Sequence, residues 1–173
     1  MKVLLTGHLG YIGSVMTRQF TEAGHSVTGL DLGFFEECLL GPAPAPVPTL
    51  RKDLRDVVAA DLAGFDAVVH LAALSNDPLG NLNAGCTYEI NHQASVQLAR
   101  AAKEAGVSRF LFASSCSLYG LSDGLSLLDE NAAFNPVTAY GESKVLVERD
   151  VAPLADERFC PIYFRNATAY GFS

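Results

Sequence analysis

The run Tyr140-Gly141-Glu142-Ser143-Lys144 sets a phenol and an ammonium four positions apart. On a helix such positions share a face, so the two groups project together. A phenol with a pKa of about 10 is a poor base at neutral pH, and a neighbouring cation favours its phenolate. The pair can then move a proton to or from a substrate oxygen, the general acid/base step of alcohol oxidation or carbonyl reduction. A hydroxyl bonded to the same oxygen completes the arrangement. Ser115 is placed to supply it, because it closes Arg109-Phe110-Leu111-Phe112-Ala113-Ser114-Ser115, an apolar run that reads as a buried strand. Ser115, Tyr140 and Lys144 are the candidate catalytic residues, with the Tyr140 helix running towards Ala152 and stopping at Pro153.

Moving a proton in this way requires an electron acceptor, and the start of the chain has the pattern of a site for one. The apolar strand Lys2-Val3-Leu4-Leu5-Thr6 runs into Gly7, Gly10 and Gly13 at G-x-x-G-x-x-G spacing, and Ile12, Val15, Met16, Phe20 and Ala23 then recur as in an amphipathic helix closed by Gly24. Strand, glycine turn and helix N-terminus together suit a dinucleotide diphosphate. The glycines allow the turn and the close approach, and the helix dipole faces the anion. The next strand, His25–Leu30, ends in Asp31, whose carboxylate would accept hydrogen bonds from the adenosine ribose and repel a 2′-phosphate. No Lys or Arg occurs from 32 to 50, so NAD is expected rather than NADP. Its positive nicotinamide would add to Lys144 in favouring the phenolate.

The remaining elements alternate strand and helix. Gly41 to Pro48, with proline at every second position from Pro42, is expected to be an extended surface loop. A short strand at Thr49-Leu50-Arg51 precedes a helix through about Leu62, which Asp53 could cap while also reaching the adenine. Asp66-Ala67-Val68-Val69-His70-Leu71-Ala72-Ala73 reads as a doubly covered strand with His70 a satisfied core residue, followed by a polar loop from Leu74 to Asn83. Ile90, Ala94, Leu98, Ala101, Ala102 and Ala105 give a long helix over Tyr88–Ala105, stopped at Gly106. The expected fold is α/β: one domain over residues 1–173, an open, doubly wound parallel sheet of the Rossmann type, strand order 3-2-1-4-5-6.

Composition narrows the function classes. A net charge of −7 argues against nucleic acid or anionic membrane as the main partner. No run approaches transmembrane length and Val3-Leu4-Leu5 is too short for a signal-peptide core, so a cytoplasmic location is expected. Cys38, Cys86, Cys116 and Cys160 form no C-x-x-C pair; neither a metal site nor a disulfide framework is expected, and buried free thiols are.

The ordered set Thr6-Gly7-x-x-Gly10-x-x-Gly13, Asp31, Asp53, His70-Leu71-Ala72-Ala73, Asn91, Ser114-Ser115-x-x-x-Tyr119-Gly120 and Tyr140-x-x-x-Lys144 resembles the extended short-chain dehydrogenase/reductases. Within them it is most similar to nucleotide-sugar epimerases and dehydratases of the UDP-glucose 4-epimerase type. The resemblance implies a tightly held NAD that oxidises a sugar hydroxyl, commonly at C4, and is later reduced again. It makes Tyr140 the acid/base, Lys144 the holder of the nicotinamide ribose, and Ser115 the residue that orients the oxygen. It places Gly7, Leu9, Gly10, Tyr11, Ile12 and Gly13 around the diphosphate, Asp31 on the ribose and Asp53 and Leu54 on the adenine. Leu71, Ala72, Ala73 and Asn91 join them as cofactor residues. It also implies a homodimer through the helices near 88–105 and 139–152, for which Val145, Leu146, Val147 and Val151 supply apolar side chains.

Two positions depart from the family pattern. Members that eliminate water carry Asp-Glu just after the catalytic hydroxyl; Cys116 and Ser117 stand there, so that dehydration is disfavoured. Arg165-Asn166-Ala167-Thr168-Ala169-Tyr170-Gly171 has Thr168 where an asparagine commonly meets the nucleotide-sugar diphosphate, with Asn166 a substitute. Family members also continue past a sixth strand, here near Phe159–Arg165, into a substrate lobe that these residues do not contain. The expected function is an NAD-dependent nucleotide-sugar epimerase or its cofactor half. A ketoreductase or dehydrogenase acting on another carbonyl, and a non-catalytic dinucleotide-binding module, are the alternatives.

Overall fold

A computed structural model describes residues 1–38, 46–75, 77–121 and 127–171. Most of the expected proline-rich loop lies outside the described residues. Six parallel strands form one sheet: β1 (Lys2–Thr6), β2 (Ser26–Leu30), β3 (Thr49–Leu50), β4 (Ala67–His70), β5 (Arg109–Ser115) and β6 (Cys160–Asn166), in the order β3-β2-β1-β4-β5-β6. The direction of strand succession reverses at β1, so the crevice at the carboxyl ends of β1 and β4 is where such sheets take ligands.

Helices cover both faces, which explains why β1 and β4 read as unbroken apolar runs. Leu4, Val68, Phe110 and Phe112 point to one side, where they pack with Leu98 and Ala102 of α4 (Ala94–Glu104) and Val147 and Val151 of α5 (Ala139–Val151). Val3, Leu5, Val27 and Val69 point to the other, against Met16 and Phe20 of α1 (Tyr11–Glu22). At the edge strand β6, Tyr163 turns to the first core, while Ile162 and Phe164 remain 36 % and 49 % exposed on the opposite face.

Four expectations are corrected. The helix through Leu62 is instead two 3₁₀ turns, Leu54–Asp56 and Ala59–Leu62. The β-branched pair Val57-Val58 is extended between them, because Val57 must reach the core, where it is buried. The polar loop after β4 contains α2 (Asp77–Leu82), with Pro78 tolerated in its first turn. The long helix begins earlier than Tyr88, at α3 (Ala84–Thr87), because the Asn83 side chain accepts the Cys86 N–H as a cap; a π-helical stretch, Tyr88–Gln93, joins α3 to α4. The cysteines are not buried: Cys38, Cys116 and Cys160 are exposed on a loop, a turn and the edge strand, and Cys86 is half-buried in the short helix α3.

An ion pair between a buried carboxylate and a partly buried guanidinium ties the site-bearing elements together. Glu148 of α5 accepts hydrogen bonds from Arg165 of β6 at 2.8 Å and from the Ser114 hydroxyl of β5 at 2.6 Å. Arg165 also lies 4.6 Å from the Phe134 ring and donates to the Glu130 carbonyl.

Candidate active site

The glycine turn is built as a close-approach surface. Gly7 follows β1 with φ +72°, donates its N–H to the Leu30 carbonyl at 2.8 Å, and faces the backbone of Ala72; a Cβ on Gly7 would lie 2.8 Å from the Ala72 nitrogen. A Cβ on Gly13 would meet the Gly7 carbonyl oxygen at 2.1 Å, so helix α1 can press on the turn only because residue 13 lacks one. Gly10 caps α1 without a side-chain hydrogen bond, leaving first-turn N–H groups for an anion. Tyr11 and Ile12 are partly exposed beside them, and the Tyr11 hydroxyl donates to the Gly171 carbonyl.

Asp31 is fixed by backbone rather than by a cation. Its two oxygens accept the Leu9 N–H at 3.1 Å and the Gly33 N–H at 2.9 Å. Behind it stands His8, buried in space left by Gly29, with Nε2 3.0 Å from the Thr49 hydroxyl and Nδ1 3.9 Å from the carboxylate. Burial lowers the His8 pKa against the opposing pull of Asp31, keeping the ring neutral. Asp53 caps the first 3₁₀ turn and holds the Arg55 guanidinium at 2.8 Å, which lowers its pKa. The Leu54 side chain enters the core. Ala72 packs on one core and Leu71 on the other, with half-buried Ala73 between them and Leu74. Both polar atoms of the Asn91 amide are taken by the Leu74 backbone, at 2.8 and 3.0 Å, so Asn91 holds this segment in place.

Ser115, Tyr140 and Lys144 converge at the carboxyl end of β5. Thr138 caps α5, whose first turn carries Tyr140. Lys144 is 3 % exposed; its Nζ donates to the Ala113 carbonyl at 2.8 Å and lies 5.4 Å from the Tyr140 ring and 4.6 Å from the Phe112 ring. Burial pushes the Lys144 pKa down to about 7. The Tyr140 phenol behaves differently from the expectation of a lowered pKa. Burial raises it, Asp77 and Cys116 raise it further, and only Ser115 opposes them. Lys144 donates one of its three N–H groups to the strand carbonyl and stands 5.4 Å from the phenol ring.

Two residues near the site were not anticipated. Asp77, bonded to the Thr138 cap, adds a carboxylate beside Tyr140. Arg51 pairs with Glu36 and lies over Gly33, where a Cβ would be 2.3 Å from its guanidinium. The parallel register pairs Leu30 with Leu50, so the positions after them, Asp31 and Arg51, fall side by side although Arg51 lies just beyond the cation-free stretch. Among the described residues no group of three metal-ligating side chains occurs, and no helix is long and apolar enough to cross a membrane.

A family model for the NAD dependent epimerase/dehydratase family matches residues 3–173. The chain belongs to this family. It is 31 % identical over 177 aligned residues to the UDP-glucose 4-epimerase of Corynebacterium glutamicum, covering 99 % of this chain and 53 % of that protein. A solved UDP-glucose 4-epimerase from Stenotrophomonas maltophila, with bound NAD and formylated UDP-arabinopyranose, is 30 % identical with a TM-score of 0.82, covering 95 % of this chain and 52 % of the other. A UDP-N-acetylglucosamine 4-epimerase from Methanobrevibacter ruminantium, in complex with UDP-N-acetylmuramic acid, is 27 % identical with a TM-score of 0.84, covering 95 % and 54 %. The chain thus spans about half the length of the relatives it matches. The family is NAD-dependent, and the glycine cradle, uncapped α1 and backbone-held Asp31 fit that dinucleotide.

Proposed function

We propose that the chain carries the cofactor and catalytic residues of an NAD-dependent nucleotide-sugar epimerase. The observation that carries this reading is the convergence of Ser115, Tyr140 and Lys144 on the same sheet edge as the Gly7 turn and Asp31. The Gly7–Gly13 turn would hold the diphosphate, Asp31 the adenosine ribose, Asp53 and Leu54 the adenine side, and Leu71–Ala73 with Lys144 the nicotinamide half. Bound there, NAD supplies reversible hydride transfer, so a sugar hydroxyl can be oxidised and the ketone reduced again.

The side chains handle the proton. Ser115 orients the sugar oxygen and Tyr140 exchanges the proton with it. The raised phenol pKa keeps Tyr140 in its donating form, suited to the reduction half. The accepting form needs a nearby positive charge, and Lys144, with a pKa of about 7, can provide it near neutrality. Cys116 and Ser117 offer no carboxylate for eliminating water, which favours epimerisation over dehydration. Two chains pairing across the outer sides of α4 and α5 fits this reading. Val147 and Val151 are core residues, which leaves the contact to Val145, Leu146 and the surface around His92 and Asp150.

Incubating the purified protein with UDP-glucose tests the reading. Its C4 epimer should form without added oxidant, and Tyr140→Phe should slow the conversion by about a thousandfold while NAD affinity stays within about twofold. Stoichiometric accumulation of reduced cofactor would favour a dehydrogenase, and NAD binding without turnover a non-catalytic module.

A further inference from the structure

We propose that His70 is a positioning residue whose imidazole, in one fixed tautomer, anchors both ends of the segment Leu71–Leu74 and so sets the spacing between the two walls of the dinucleotide crevice. The inference rests on the NAD reading above and adds to it a residue outside the catalytic trio.

His70 is the last residue of β4 and 1 % exposed. Its Nδ1 lies 2.7 Å from the Thr6 hydroxyl and its Nε2 2.8 Å from the Ser95 hydroxyl. The neighbours of those hydroxyls fix the direction of every bond. Thr6 Oγ1 accepts the Ala72 N–H at 3.2 Å and shares the Leu71 N–H, also at 3.2 Å, with its own backbone carbonyl, which leaves its single proton for His70 Nδ1. Ser95 donates its proton to the Asn91 carbonyl at 2.7 Å, so its oxygen accepts from His70 Nε2–H. Both ends require the same neutral ring, protonated on Nε2 alone.

The far end of the segment is held by the Asn91 side chain, next to the carbonyl that receives the Ser95 proton. The Asn91 side chain accepts the Leu74 N–H at 2.8 Å and donates to the Leu74 carbonyl at 3.0 Å. One directional sequence of hydrogen bonds therefore runs from the start of the segment through Thr6, His70 and Ser95 to the Asn91 carbonyl, and the side chain of the same Asn91 holds the segment's end. The segment it holds is the one that Gly7 abuts, with the Ala72 nitrogen 2.8 Å from where a Gly7 Cβ would lie. A shift of Leu71–Ala72 would thus open or close the diphosphate turn. The ring is also protected from taking a second proton. Burial pushes its pKa down to about 3, and Lys144, which like His70 lies against the Phe112 ring, opposes a second cation. A proton on Nδ1 would face the Thr6 oxygen, whose lone pairs are already occupied.

Three measurements test the relay. Nitrogen-15 NMR of the histidine side chains should show His70 as the Nε2–H tautomer, unchanged from pH 8 to pH 5; an Nδ1–H ring, or titration in that range, overturns the proposal. Calorimetric titration should find NAD binding weakened about tenfold in His70→Phe and restored to within about threefold in His70→Gln, which can accept from Thr6 and donate to Ser95. A role in stability alone would lower the unfolding midpoint of His70→Phe and leave its NAD affinity within twofold of the parent, and that result also overturns it. If His70→Phe does not fold, Ser95→Ala takes its place with the same expected loss and the same overturning result. Failure of the unaltered protein to bind NAD would instead defeat the cofactor reading, while the tautomer measurement still decides whether the relay exists.

Discussion

Asp31 gives its carboxylate to two backbone N–H groups, a geometry that fixes the side chain without neutralising it, so the negative charge remains available to repel a 2′-phosphate. Arg51, held by Glu36 just beyond it, is the group a 2′-phosphate would recruit once that charge is gone. Asp31→Ala is therefore expected to weaken NAD about tenfold and to strengthen NADP relative to NAD, by direct calorimetric titration of both. Adding Arg51→Ala should remove the gain for NADP. An unchanged preference in the single variant would contradict the ribose assignment.

Among the elements, α5 carries the heaviest positional demand, because Tyr140, Lys144 and Glu148 descend one side of it at four-residue spacing. The cap at Thr138 fixes its start, and the largely buried Glu148–Arg165 pair locks its C-terminal half to β5 and β6. Removing one member of such a pair strands the other's charge, whereas removing both does not. Glu148→Leu should cost about 3–5 kcal/mol in denaturant unfolding, and Glu148→Leu with Arg165→Met should recover most of it. Equal destabilisation of the single and double variants would show that the carboxylate acts through Ser114 rather than through Arg165. The 3₁₀ turns after β3 show the converse, where a sequence compatible with a helix yields because the core claims Val57.

Across the whole molecule, two buried basic side chains have pKa values well below their ordinary range, about 3 for His70 and about 7 for Lys144. In each case the folded state binds fewer protons than the unfolded one between the lowered value and the ordinary one. Stability should therefore rise with pH in both windows. For Lys144 the window runs from about 7 to 10.5, with a slope of up to about 1.4 kcal/mol per pH unit. Lys144→Met should flatten that rise between pH 7 and 9.5, read as unfolding free energy without added dinucleotide. Parallel slopes for variant and parent would show that Lys144 stays charged in the fold.

The strand order, the glycine turn, Asp31 and the pairing of Tyr140 with Lys144 were legible in the residues, because periodicity, turn chemistry and i,i+4 spacing are local and survive without knowledge of neighbours. His70 was legible as a satisfied core residue, but its partners were not: Thr6 ends β1, while Ser95 and Asn91 lie one turn apart on the helical stretch that follows α3. The raised phenol, the near-neutral Lys144, the exposed cysteines and Arg51 beside Asp31 were likewise invisible. Burial, charge proximity and register belong to pairs of residues far apart in sequence, and only the packed sheet brings those pairs together.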